Sequence, residues 1–262
     1  MMNIIKKISI DDSLYLFILC GLLGGYIKEI VILFIIVIMH EIGHVIFFRL
    51  FNIEIDKIVI YPSGGMCYVN KKINIRIFYD VMINIGGILM QVVLFIVVYC
   101  LWKNRFIVDT TYKLFNMYNI GIMLFNLLPI VPLDGSKLLL NIYCKLFSFR
   151  ISYLLMIITS IIFFILFVLF NIFIGINSLV ILLFLLYQMF LIVKNYKYIL
   201  NKFYLERMIY DNYYNEIIND KSSIGDMKID KYYYFYNKGR YYSEKEWLRN
   251  YKILWHLCII LL

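Results

Sequence analysis

Two histidines and a glutamate stand within five residues of one another in an otherwise apolar run, His40-Glu41-Ile42-Gly43-His44. The chain has only 3 histidines, so most of its imidazoles are gathered here. On a helix, residues i and i+4 share a face. His40 and His44 are therefore expected to present two imidazoles to one tetrahedral Zn2+. Glu41, beside them, is placed to act as general base on a water that the metal activates. Ionisable side chains inside an apolar span are costly to insert and mark function by default. A catalytic zinc takes three protein ligands and keeps a fourth position open. Asp134 is the candidate third ligand, in the run Asn126-Leu-Leu-Pro129-Ile-Val-Pro132-Leu133-Asp134-Gly135. Two prolines at a spacing of three unwind a helix. Non-helical backbone at membrane depth survives only where protein or a water-filled cavity surrounds it. The break is expected to build a cavity wall and aim Asp134 inward; the alternative is a plain cap for the helix resuming near Ser136.

Two further stretches flank this constellation. Residues 52–76 alternate apolar and polar through Ile53, Ile55, Ile58 and Ile60, then reach Pro62-Ser63-Gly64-Gly65. That pattern predicts strand, turn and strand. Its strands, with Gly64 and Gly65 at the turn, are candidates to pair with an extended peptide; an ordinary surface hairpin is the alternative. Asn84, Gly86, Gly87 and Gln91 put small and polar residues on one span, the mark of close helix packing.

The elements that must position these residues lie in a membrane. Of 262 residues 63% are hydrophobic and 16% charged, with mean hydropathy +0.81, against about a quarter charged in soluble domains. A soluble monomer of this size could not hide so much apolar surface. The net charge of +9 comes from Lys and Arg flanking apolar spans, so no nucleic-acid partner is expected. The 5 cysteines show no metal or disulfide spacing and read as reduced filler. No cleavable signal peptide is evident at the N-terminus.

Apolar runs at 13–26, 29–51, 78–102, 112–128, 151–170 and 178–193 predict six transmembrane helices. Both termini are expected in the cytoplasm, because that orientation puts 14 of the Lys and Arg up to Arg207 on the inner side against 4 outside. The expected fold is an all-α polytopic membrane protein with a small β-hairpin or re-entrant loop. Residues 1–193 form the membrane-embedded domain. Residues 194–262, with 13 of the 24 tyrosines, form a short cytosolic tail, helical to about residue 219, with strands around 232–242. The last ten residues are apolar but too few to span a bilayer.

The HEIGH run within a span, the PSGG loop, and NLLPIVPLDGSKLL about 90 residues on resemble the site-2 protease family of intramembrane zinc metalloproteases. The likeness is greatest to its branch in endospore-forming bacteria, and covers roughly residues 14–205. It implies a six-span zinc metalloendopeptidase that carries out regulated proteolysis. Its substrate would be a membrane-associated pro-sigma factor, pro-sigma-K, processed during sporulation in the mother-cell membrane around the forespore or the bacterial inner membrane. Inhibitory membrane proteins would be its partners. Carried over, His40, His44 and Asp134 are the ligands of one zinc per chain, Glu41 is the catalytic base, and Asn126 and Pro132 shape the substrate site. The tail is too short for the paired CBS domains such a branch often carries. Cleavage of another anchored regulator, such as an anti-sigma factor, is the alternative. A metal transporter would show repeated halves, and the chain has no second segment of this kind.

Overall fold

In the computed structural model the described residues are 8–10, 15, 23–61, 64–69, 72–171, 179–210, 216–221, 223–237 and 239–250. The first predicted span, the Pro62-Ser63 turn and the apolar C-terminus lie wholly or mostly outside them. The described structure is mostly helical. Its helices are α1 (Ile27–Leu50), α2 (Ile77–Lys103), α3 (Asp109–Leu127), α4 (Asp134–Leu146), α5 (Phe149–Asn171), α6 (Leu179–Lys194), α7 (Tyr196–Ile209) and α8 (Glu244–Asn250). Its strands are β1 (Ile8–Ile10), β2 (Ile55–Tyr61), β3 (Gly64–Val69), β4 (Glu216–Lys221), β5 (Lys231–Asn237) and β6 (Arg240–Ser243).

Among the described residues three helices are long and apolar enough to cross a membrane, Ile27–Leu50, Ile77–Lys103 and Phe149–Leu169, and Ile181–Lys194 is a shorter apolar helix. Only a third of the most apolar window of α1 and of α2 is covered by protein. Much of the remaining surface is exposed Ile, Val, Leu and Phe, as on helices that face lipid. Five of the predicted spans correspond to helices at nearly the expected bounds. Those of α3 and α6 fall short of the length or hydropathy that by itself marks a crossing.

The chain divides into two compact units, Met1–Lys71 with Met82–Leu128, and Lys72–Val81 with Pro129–Leu262. In the first, α1 buries a stripe that returns every four residues, Ile32, Ile36, His40, His44 and Phe48. Its upper half packs with Leu94 of α2 and Phe115 of α3. Glu29 in the first turn and Arg49 in the last complement the helix dipole. Asn52 then enters the left-handed region at φ 54°. The N–H groups of Asn52 and Ile53 donate to the carbonyls of Arg49 and Phe48, a Schellman ending that reverses the chain into β2. The sheet order is β1-β2-β3, with β1 parallel and β3 antiparallel to the central β2. The two predicted strands are therefore present and paired. The parallel partner β1 had no periodic signal, being three residues long. At the far end of α2, Trp102 stacks on Tyr112 and donates to Asp109 at 2.6 Å, closing the turn into α3.

The second unit has its core where α5 and α7 meet the C-terminal sheet. Phe149, Tyr153 and Met156 of α5, Phe203 of α7, Tyr233 and Phe235 of β5, Met227 in the segment before it, and Leu248 of α8 are buried together. Tyr233 and Phe235 point inward on alternate positions of β5, as a half-buried strand requires. Two findings differ from expectation here. The helix ends at Ile209 rather than near residue 219, because Asp211-Asn-Tyr-Tyr-Asn215 is a run of weak helix formers. The strands expected around 232–242 are β5 and β6, but a further strand, β4, joins β5 in parallel, and the order is β4-β5-β6.

Candidate metal centre

α1 delivers two buried imidazoles one turn apart. The Nε2 atoms of His40 and His44 lie 3.1 Å apart, and the ring planes stand nearly perpendicular at 83°. α2 supplies the frame that holds them. A methyl group on Gly43 would come within 2.2 Å of the Gly86 carbonyl oxygen, and one on Gly86 within 2.8 Å of the Gly43 oxygen. The two backbones therefore touch, and only glycine fits at either position. One residue on, a methyl at Gly87 would strike the His40 ring at 2.5 Å. The imidazole lies flat against bare backbone.

The far nitrogen of each ring is anchored to the same helix. His44 Nδ1 lies 2.7 Å from the carbonyl oxygen of Ile83. A carbonyl only accepts, so the proton of neutral His44 sits on Nδ1 and the lone pair on Nε2. His40 Nδ1 lies 3.2 Å from Gln91 Oε1; with the amide oxygen toward the ring, the proton of His40 sits on Nδ1 as well. Ile83, Gly87 and Gln91 recur every four residues and form one face of α2. Two Nε2 atoms 3.1 Å apart on one helix face are spaced as two ligands of one cation would be. Metal-bound histidines almost always donate their other N–H to a carbonyl or carboxylate. The pair thus fits zinc in its atoms, its tautomers and its supporting contacts. Glu41 follows His40 on α1 and is half-buried.

The other predicted residues are placed as follows. Asp134 is buried and is the first residue of α4; its Oδ1 accepts from Lys137 Nζ at 2.8 Å. The flanking cap position belongs to Leu133, whose carbonyl accepts from the Ser136 hydroxyl. The segment from Leu128 to Leu133 is non-helical, as its prolines require. Pro132 there is half-buried. Asn126 is half-buried on the last turn of α3. Gly64 and Gly65 open β3, opposite Tyr61 and Ile60, and the backbone of β3 runs beside that of α1. Among the described residues β3 pairs only with β2, so it is an edge strand.

The anchoring acceptors on α2 escaped the sequence reading, which took Gln91 as packing. A backbone carbonyl leaves no trace in sequence. The four-residue spacing of Gly87 and Gln91 was the available signal, and it points to the metal helix only once the pairing of α1 with α2 is known.

Residues 28–108 match peptidase family M50. The chain is 33% identical over 209 residues to stage IV sporulation protein FB of Bacillus subtilis, covering 79% of this chain and 73% of that protein. It is 30% identical over 122 residues to a zinc metalloprotease of Methanocaldococcus jannaschii, covering 45% of this chain and 35% of that one. Among solved structures, the site-2 protease from Methanocaldococcus jannaschii superposes with a TM-score of 0.53 over 71% of this chain and 89% of that chain. At 22% identity that likeness speaks for a common fold.

Proposed function

The chain belongs to peptidase family M50, the site-2 protease family of zinc metalloendopeptidases, and from that premise we propose that it performs regulated proteolysis on a membrane-associated pro-sigma factor. The observation that carries the reading is the imidazole pair of α1 with both Nδ1 atoms anchored on α2. In this reading His40, His44 and Asp134 hold one zinc, and Glu41 is the general base. When bound, the metal supplies a Lewis acid that polarises water and the scissile carbonyl.

The chain's own residues do the rest. Glu41 accepts the proton of the attacking water and delivers it to the departing amide nitrogen. The Ile83 carbonyl and Gln91 hold the two rings so that neither imidazole has to reorient. A peptide bond inside a helix is hidden by its own hydrogen bonds, so the substrate must be extended before it is cut. The open edge of β3 offers backbone groups for that purpose, and Gly64 and Gly65 keep its first two positions clear of side chains. Asn126 and Pro132 are, in this reading, the motif residues that shape the substrate site. Six spans with both termini in the cytoplasm put the C-terminal sheet on the cytosolic side, and inhibitory membrane proteins act on the enzyme there or within the bilayer. The sporulation relative supports the pro-sigma choice; an anti-sigma factor or another anchored regulator is the competing substrate.

Co-expression with a membrane-tethered pro-sigma factor tests the proposal. Wild type is expected to release the shortened factor and Glu41→Gln to leave it intact. A Gly65→Val variant should retain zinc but cut poorly, because a branched side chain crowds the open edge. Normal cleavage by Gly65→Val would reduce the hairpin to a surface feature and leave the zinc assignment standing.

A further inference from the structure

The two imidazoles are anchored by chemically different groups. His44 is held by a backbone carbonyl at 2.7 Å, an acceptor that no side-chain change removes. His40 is held by the side-chain amide of Gln91 at 3.2 Å, a group with an acceptor end and a donor end. With oxygen toward His40, the proton sits on Nδ1 and the Nε2 lone pair faces His44. With nitrogen toward His40, the proton moves to His40 Nε2. That N–H would then bond across 3.1 Å to His44 Nε2, whose lone pair is fixed by the Ile83 carbonyl. The first arrangement accepts a cation and the second closes the pair against one.

Gln91 is fully buried. Its Nε2 has no hydrogen-bond partner among the described residues. Its backbone carbonyl accepts from Asn119 Nδ2 at 3.4 Å on α3, and Asn119 Oδ1 is likewise buried without a partner. A buried, half-satisfied amide penalises the fold, and an apolar side chain of similar length would avoid the penalty. A task for its oxygen accounts for the residue. Gly87 fits the same account: lacking a side chain, it lets the His40 ring lie against α2 within reach of Gln91.

We propose that Gln91 is a positioning residue that acts through His40, holding its Nδ1–H tautomer so that Nε2 is presented to the metal. This rests on the metal reading above. It predicts a division of labour on α2, in which backbone fixes one ligand and a replaceable amide sets the other.

The test uses the full-length chain in detergent, with zinc affinity measured by competition against a chromophoric chelator. The absorption spectrum of the Co2+-loaded protein gives a second readout. Gln91→Leu should lose about 10–100-fold in zinc affinity, the usual effect of removing a supporting hydrogen bond, and its Co2+ bands should shift or weaken. Gln91→Glu keeps an acceptor at the same place and removes the donor end, so it should restore wild-type affinity or exceed it. On zinc-saturated enzyme, Gln91→Leu should lower kcat with KM unchanged. Wild-type zinc affinity and cobalt spectrum in Gln91→Leu would overturn the proposal. Equal loss in Gln91→Glu and Gln91→Leu would overturn it too, by showing that the residue only packs. Failure of wild type itself to bind zinc, with His44→Ala indistinguishable from it, would instead strike the metal reading.

Discussion

The histidine pair of α1 and the Arg207–Glu244 pair of the C-terminal unit are both buried polar clusters in an apolar chain, and they are satisfied in opposite ways. Arg207, fully buried on α7, donates twice to the Glu244 carboxylate and also to the carbonyls of Lys228, Ile229 and Lys231. Glu244 in turn accepts from the backbone N–H of Tyr233 at 3.2 Å. Donors meet acceptors throughout, and the cluster ties α7, the loop before β5, and α8 into one knot. In the histidine pair, both Nδ1 atoms face oxygen acceptors on α2 and the two Nε2 atoms face each other at 3.1 Å. A closed network fixes structure, whereas convergent lone pairs call for a cation. The preceding residue of the knot extends the contrast. Glu206 accepts the backbone N–H groups of Ile73 and Asn74 at 2.6 and 3.1 Å, so α7 also holds the entry to α2.

The largest expected effect breaks the comparison on its functional side. His44→Ala should abolish cleavage while the C-terminal unit stays folded, as checked by activity and by limited proteolysis of residues 196–250. Next, Arg207→Met should cost about 3–5 kcal/mol by leaving the Glu244 carboxylate buried and unpaired. Pairing it with Glu244→Leu should recover the part of that loss due to the buried charge, while the three carbonyls stay without Arg207; urea-dependent proteolysis of the C-terminal unit measures both. Recovery on double substitution is the signature of a structural pair. No double substitution at His40 and His44 should recover zinc.

A smaller effect sharpens the geometry. Gly87→Ala should weaken zinc binding by about 10–100-fold, since its methyl displaces the His40 ring from its anchor; chelator competition reads this directly. Ser243→Ala should cost about 1 kcal/mol. Ser243 and Glu246 form a reciprocal capping box at the start of α8, each bonding the other's backbone N–H at 3.3 and 3.0 Å.

The smallest effect is a pH dependence in the C-terminal unit. Burial raises the carboxyl of Asp230 above its ordinary value, against the lowering influence of the Ile77 backbone and of Arg76 and Arg207. The folded state therefore binds more protons at this site than the unfolded one. The penalty is full above the folded pKa, shrinks as pH falls through it, and vanishes below the unfolded pKa. Asp230→Asn should stabilise the unit slightly at neutral pH and leave it unchanged in acid. Glu246, lowered by the Ser243 backbone N–H, should act in the opposite sense.

What sequence reveals of this molecule follows the range of each interaction. His40, Glu41 and His44 are legible because helical spacing alone brings them together. The hairpin is legible from its alternation and its glycines, and the break before Asp134 from Pro129 and Pro132. The Ser243–Glu246 box had a local signature as well, four residues long, though the sequence reading passed over it. The anchors of the imidazoles and the Arg207–Glu244 knot are not legible. They join residues 39, 51 and 37 positions apart, and nothing local marks a helix carbonyl as an acceptor or one arginine among many cations as buried. β4 was missed because six residues of mixed polarity, Glu-Ile-Ile-Asn-Asp-Lys, carry no clear period and take their strand form from pairing with β5.

The most direct test of the central claim is the zinc content of purified protein measured beside cleavage of the tethered precursor. Wild type and Glu41→Gln should each hold about one zinc per chain, with only wild type cutting. The His40→Ala/His44→Ala variant should hold none and cut nothing. Full zinc in the double-histidine variant, or cleavage by Glu41→Gln at the wild-type rate, would contradict the account.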